Sequence, residues 1–167
     1  MPVHGAARLW HSPPMPISLA RDRITPRVID SLYVEAMVLA DEARAYFDRN
    51  GREDRMALDP LVRVGFSCES LKVTTRLMHV IAWLLTQRAV EAGELSADQA
   101  RRPARRLGDS VESDEELLEQ LPESAISLVR ASSDLYARVQ RLDEGGGEPE
   151  PQPSPARTLL SRLQRSF

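Results

Sequence analysis

Cys68 and His79 are the two side chains in the apolar middle of this 167-residue chain that could act together, as a thiol and the base that activates it. Eleven residues separate them. On one helix that spacing returns both to the same face, but a rise of about 1.5 Å per residue sets them roughly 16 Å apart, whereas proton transfer needs ~3 Å. An intact helix excludes the dyad, leaving a structural thiol and a surface imidazole. His4 and His11 have no thiol or carboxylate neighbours with which to complete a metal site. Gly145, Gly146 and Gly147 abut Glu and Pro rather than the Lys-Ser/Thr of a phosphate loop. The acidic residues from Glu112 to Glu119 lack the oxygen spacing and central glycine of a calcium loop. The expectation is a protein without catalytic, cofactor-binding or metal site, hence not an enzyme.

Charge narrows the partners. A net charge of −3 gives no general electrostatic case for nucleic acid, whose non-specific binding rests on cations meeting phosphates. The cluster "ARRPARR", ending at Arg106, is basic, but "DSVESDEELLEQLPE" follows it and can neutralise it. With the basic C-terminus, that cluster keeps a nucleic-acid-associated helical regulator as the alternative function. A single cysteine allows no intrachain disulfide and suits a reducing, cytoplasmic compartment. The first residues lack the unbroken apolar stretch of a secretory signal. The run Val80–Leu85 is too short for a membrane span, with Lys72, Arg76 and Arg88 close on either side.

The elements that would position these residues are helices. Aromatics make up only 5% of the chain, so the core must be built mainly from aliphatic side chains. Residues 1–24 carry four prolines and no hydrophobic period, and read as a flexible leader. Thr25 and Pro26 form a cap-then-proline start, after which Ile29, Tyr33, Ala36, Ala40, Ala43 and Phe47 recur at threes and fours until Asn50-Gly51 stops the helix. Asp59-Pro60 starts a second helix that runs to Gly93, about 50 Å at helical rise. A charged connection at 94–121 contains two capping-box spacings, Ser96 with Gln99 and Ser113 with Glu116. Leu121-Pro122 opens a third helix with Ile126, Val129, Ser133, Tyr136 and Val139 or Gln140 on one face, flanked by Leu128, Leu135 and Leu142. The fold class is therefore all-α, an antiparallel three-helix bundle over residues 25–144. Residues 145–167 make a glycine- and proline-rich linker followed by a short basic amphipathic tail.

On a helical wheel of the second helix, Lys72, Arg76, His79, Thr86 and Gln87 share one polar arc, and apolar side chains fill most of the remaining circumference. So wide an apolar arc suits a central helix touching two neighbours. Trp83 and Val90 project into the polar arc. An indole flanked by polar side chains has the composition of a binding hot spot, which makes Lys72, Arg76, His79, Trp83, Gln87 and Val90 a candidate protein-binding surface. The other reading is that the 94–121 connection folds back and covers Trp83. In the tail, Leu159, Leu160, Leu163 and Phe167 fall at helical spacing beside Arg157, Arg162 and Arg165, a segment that could fold against a groove.

Three stretches carry a family resemblance. "SLKVTTRLMHVIAWLLTQRAVEAGELS", from Ser70 to Ser96, resembles the signature of the bacterial family of regulators of CtrA degradation. "LYVEAMVLADEARAYFD" and "LYARVQRLDE" resemble its first and last helices, so the likeness spans roughly residues 28 to 144. The resemblance implies a dimeric three-helix bundle without an active site. It also implies an adaptor's role in cell-cycle-regulated proteolysis, helping a ClpXP-type protease receive protein substrates alongside a response-regulator-like partner.

Overall fold

The computed structural model describes residues 18–145, and among the described residues every regular element is helical. Helix α1 spans Ser18–Ala45 and runs into a π-turn, Tyr46–Asn50. It is followed by α2 (Arg52–Met56), α3 (Pro60–Glu91), α4 (Ala97–Ala100), a 3-10 turn (Pro103–Arg105), α5 (Glu115–Leu118) and α6 (Glu123–Gly145). The long helices α1, α3 and α6 pack on one another.

Local chemistry explains most of the boundaries. The π-turn closes where the Gly51 N–H donates to the Tyr46 carbonyl at 2.6 Å, five residues back. Pro60 occupies the first turn of α3, where its missing N–H costs no bond, and Gly93 ends the helix at φ 75°, a conformation without penalty for glycine alone. The capping box at Ser96 and Gln99 forms with both reciprocal bonds, at 3.1 and 3.0 Å. Two expectations need correction. The stretch from Ser18, read as leader, is helical, so Pro26 lies inside α1 rather than at its first turn. The residues before it, Leu19, Ala20 and Arg21, are good helix formers, and a proline there forfeits one backbone bond. At α5 the cap is Asp114, whose Oδ1 accepts from the Glu116 N–H at 3.0 Å, because Ser113 is engaged elsewhere.

The core joins Ile29, Leu32, Ala36, Leu39 and Ala43 of α1 to Phe66, Val73, Leu77, Val80 and Leu84 of α3. Ala125, Leu128, Val129, Leu135 and Val139 of α6 complete it. The apolar stripes of α1 and α6 are thus rotated slightly from the expected ones: Tyr33, Ala40, Ile126 and Tyr136 are half-buried beside leucines that go fully inside. Tyr46, Phe47 and Phe66 close one end, with ring centroids 5.2 to 6.2 Å apart.

Helix directions depart from the expected antiparallel bundle. Asp30 near the start of α1 meets Arg88 near the end of α3 at 3.4 Å, and Phe47 stacks near Phe66, so α1 and α3 are antiparallel. Arg138 of α6 reaches Glu35 of α1, with Nη1 3.0 Å from Oε2. Yet α6 runs parallel to α3: Ser132 sits beside Arg76, and Asp143 beside Trp83. The reason lies in residues 92–122, which make no tight turn but travel back along the length of α3 before α6 begins.

The two sides of α3 differ sharply at adjacent residues, Leu84 with no exposed surface and Leu85 at 47%. Leu84→Ala is expected to cost about 2–5 kcal/mol of stability, whereas Leu85→Ala stays within about 0.5 kcal/mol at low protein concentration. Urea unfolding of both variants checks this.

Candidate functional site

The polar arc of α3 is the seat of a strap formed by residues 106–118. From the C-terminal end of α3 towards its start, the strap descends the groove between α3 and α6, touching Trp83's partner Asp143, then His79, Arg76 and Lys72 in turn. Arg106 Nε donates to Asp143 Oδ1 at 2.8 Å, and the same oxygen accepts from Trp83 Nε1 at 2.7 Å. One turn on, the Gly108 carbonyl accepts from Tyr136 Oη at 2.7 Å, and His79 Nδ1 lies 2.9 Å from the Asp109 carbonyl, which places the ring proton on that nitrogen. A Cβ on Gly108 would stand 2.7 Å from the His79 ring, so a glycine is needed for the strap to lie this close.

Arg76 is the centre of the seat, with only 2% of its surface exposed. Its Nε donates to Ser110 Oγ at 3.0 Å and its Nη1 to Ser132 Oγ of α6 at 2.8 Å. Nη2 donates to the Val111 carbonyl at 3.1 Å and to Ser113 Oγ at 3.2 Å. Ser113 in turn donates to Glu69 Oε2 at 2.5 Å, so one hydroxyl joins a buried guanidinium to a buried carboxylate. Lys72 completes the network, donating to Glu69 Oε1 at 2.7 Å and to the Glu112 carbonyl at 3.0 Å. Burial pulls the Arg76 guanidinium below its ordinary pKa, and the charge of Glu69 opposes that pull. Burial, with Asp109, Asp143 and Glu144 nearby, raises the Tyr136 phenol and keeps it a donor.

This geometry corrects the adhesive surface expected from the wheel. Arg76 and Trp83 are buried, Trp83 with 5% of its surface exposed, and neither presents anything to a partner. Lys72 and His79 are half-buried under the strap, while Gln87 and Val90 are half-buried and line a small cavity with Trp83, Ala97 and Ala100. The alternative reading, a connection folded back over the indole, is the one observed. Leu159, Leu160, Leu163 and Phe167 lie outside the described residues. Cys68 is exposed and His79 is tied to the strap, on separate turns of α3. Among the described residues no group of three His, Cys, Asp or Glu side chains is arranged to hold a metal ion, and no helix is long and apolar enough to cross a membrane.

An unexpected surface lies on the far side of α3. Leu61, Val64, Cys68, Leu71, Thr75, Met78, Ala82 and Leu85 alternate at threes and fours, the heptad spacing of a coiled-coil seam, and all are exposed. Leu71 and Met78, at 66% and 64%, stand well out of the core. The spacing was readable in the sequence, and α3 does touch two helices, α1 and α6, but neither of them reaches this side of it.

The described residues define an all-α protein built on three long helices and a strap. The chain belongs to the family described as "Protein of unknown function (DUF1465)", whose model matches residues 20–167 and which is the family of RcdA. Among solved structures it is similar to RcdA from Caulobacter crescentus CB15, at 34% identity and a TM-score of 0.59, covering 75% of this chain and 96% of that one. No curated protein matches it.

Two substitutions test the strap. Arg76→Ala is expected to cost about 3–5 kcal/mol, since it leaves a buried carboxylate network short of its cation; amide exchange at residues 108–114 should accelerate more than in the core of α1. Asp143→Ala removes the indole's acceptor, at about 1–3 kcal/mol, and should make Trp83 fluorescence red-shifted and open to acrylamide.

Proposed function

We propose that this chain is a non-catalytic adaptor that promotes cell-cycle-regulated proteolysis in the cytoplasm by delivering substrates to a ClpXP-type protease, as a homodimer and beside a response-regulator-like partner. The observation that carries this reading is the likeness to RcdA, at 34% identity over 96% of that chain, together with membership of its family. Physical features fit the role. The sealed strap makes a stiff platform, and the ridge on α3 leaves apolar side chains available for association. The tail at Leu159, Leu160, Leu163 and Phe167 docks on the protease or on cargo, its arginines steering it towards an acidic surface.

The alternative, a nucleic-acid-associated regulator, loses support from the way the basic cluster is used. Arg106 pairs with Asp143 and Arg101 with Asp98, while Arg105 donates to the Gln99 carbonyl at 3.2 Å. Cations held by carboxylates release fewer counterions on meeting a phosphate backbone.

Reconstituted degradation by ClpXP with the response-regulator-like partner tests the proposal: adding the full chain should speed loss of a delivered substrate several-fold. Removing residues 145–167 should reduce that gain at least fivefold; an unchanged rate would take the tail out of the mechanism. A full chain that never changes substrate turnover, while proteins from the same cells co-purify with nucleic acid on it, would favour the alternative.

A further inference from the structure

Between the strap and α6 runs a groove of about 730 Å³. It follows α6 from Arg130 to Gln140, about 15 Å at helical rise. Val111, Leu118, Val129 and Ala137 give it an apolar lining, and Val111 keeps 68% of its surface exposed. The strap edge is acidic. Asp109 and Glu112 are exposed there, and among the described residues neither carboxylate pairs with a cation. That edge is also fixed from behind: the carbonyls of Gly108, Asp109, Val111 and Glu112 are held by Tyr136, His79, Arg76 and Lys72. The groove is therefore built before anything enters it.

Its shape and charge suit a short helix with an apolar stripe and basic margins. Residues 157–167, which lie outside the described residues, have that pattern in sequence. At 100° per residue, Leu159, Leu160, Leu163 and Phe167 fall within an arc of about 100°. Arg157 and Arg162 stand about 60° beyond its two edges, Arg165 lies opposite, and no acid is among them. As a helix this segment would be about 16 Å long, matching the groove. Covalent geometry permits the approach. Residues 146–156 join the end of α6 to Arg157 and span at most roughly 40 Å, whereas the far end of the groove is about 22 Å from Gly145.

We propose that residues 157–167 dock as a helix in this groove of their own chain. Leucines and Phe167 cover Val111 and Ala137, and one arginine margin meets Asp109 and Glu112. So short a helix is unstable alone. The groove supplies the apolar partner, and covalent attachment makes the docking intramolecular, which offsets a weak affinity. The inference goes beyond the adaptor reading and does not require it. Where that reading holds, the docked tail is the resting form, and an acidic surface on protease or cargo must compete with the strap for the same arginines.

A nitroxide on the tail reads its position. The full-length C68S/S161C chain carries a single thiol, on the side of the segment away from its apolar arc. In spectra of the spin-labelled, nitrogen-15 chain, amides of residues 109–113 and 133–140 should lose at least half their intensity. Losses at α2 should be much smaller. Dilution into an excess of unlabelled chain should leave this pattern unchanged. L163D, which alters nothing in the described bundle, should restore the signals of residues 109–113 at least twofold. D109K/E112K, at two exposed side chains outside the Arg76 cradle, should do the same with an unchanged circular dichroism spectrum. If the double variant misfolds, L163D decides. Losses that vanish on dilution would put the tail on a second copy and overturn the proposal. Losses as large at α2 as at residues 109–113, or losses untouched by L163D, would overturn it too. The degradation assay reads delivery separately, so failed docking and a failed adaptor role give different results.

Discussion

Burying the charge of Arg76 is the constraint from which the architecture follows. A guanidinium taken out of water is tolerated only where several acceptors meet it, and α3 cannot supply them all. Ser132 comes from α6, while Ser110, Val111 and Ser113 come from the connection between α3 and α6. Glu69, about two turns away on the same face of α3, balances the charge through the Ser113 hydroxyl. No single contact in the set is strong in isolation. Their value lies in convergence, because losing any one side of the cradle strands a cation inside.

That convergence dictates topology. For the connection to deliver Ser110 and Ser113 to α3, it must occupy the groove between α3 and α6 rather than turn tightly at the end of the helix. Travelling back along α3 then starts α6 at the same end as α3, and the two helices become parallel. Asp143, near the end of α6, arrives beside Trp83 near the end of α3, where one carboxylate oxygen serves both the indole and Arg106. The strap thereby covers the polar side of α3, with α1 and α6 on the core side. Nothing within the described chain remains to cover the ridge from Leu61 to Leu85.

The sequence foretold the elements better than their surroundings. The starts at Asp59-Pro60 and Ser96, and the stops at Gly51 and Gly93, were visible because caps and special backbone angles act within a few residues. Hydrophobic period found each long helix. It failed at the question of which side of α3 is wet, since polarity on a wheel does not distinguish a face meeting water from one meeting serines and carbonyls. Lys72, Arg76 and His79 looked like a solvated arc, yet each is bonded to the strap. Glu69, Ser110 and Ser132 went unnoticed, and Ser113 was read as a helix cap, for the same reason: the serines lie 34 to 56 residues from Arg76, and Glu69 lies 44 residues from Ser113. The heptad spacing of the outer ridge was legible, but covered and uncovered heptads look identical in sequence.

A helix that is satisfied on opposite sides by opposite chemistry has a consequence for how it can evolve and work. On the strap side, directional bonds of fixed length hold each group, so small changes of shape are costly. On the ridge side, only apolar contact is at stake, and side chains such as Met78 and Leu71 adapt to different surfaces at little cost. The stiff side therefore sets the position of the ridge without sharing in its interactions. Changes at Leu71 or Met78 alter the surface while the cradle around Arg76 keeps the fold, whereas changes at Ser110 or Ser132 alter stability. Directional bonding and bare apolar surface are thus separated across the width of one helix.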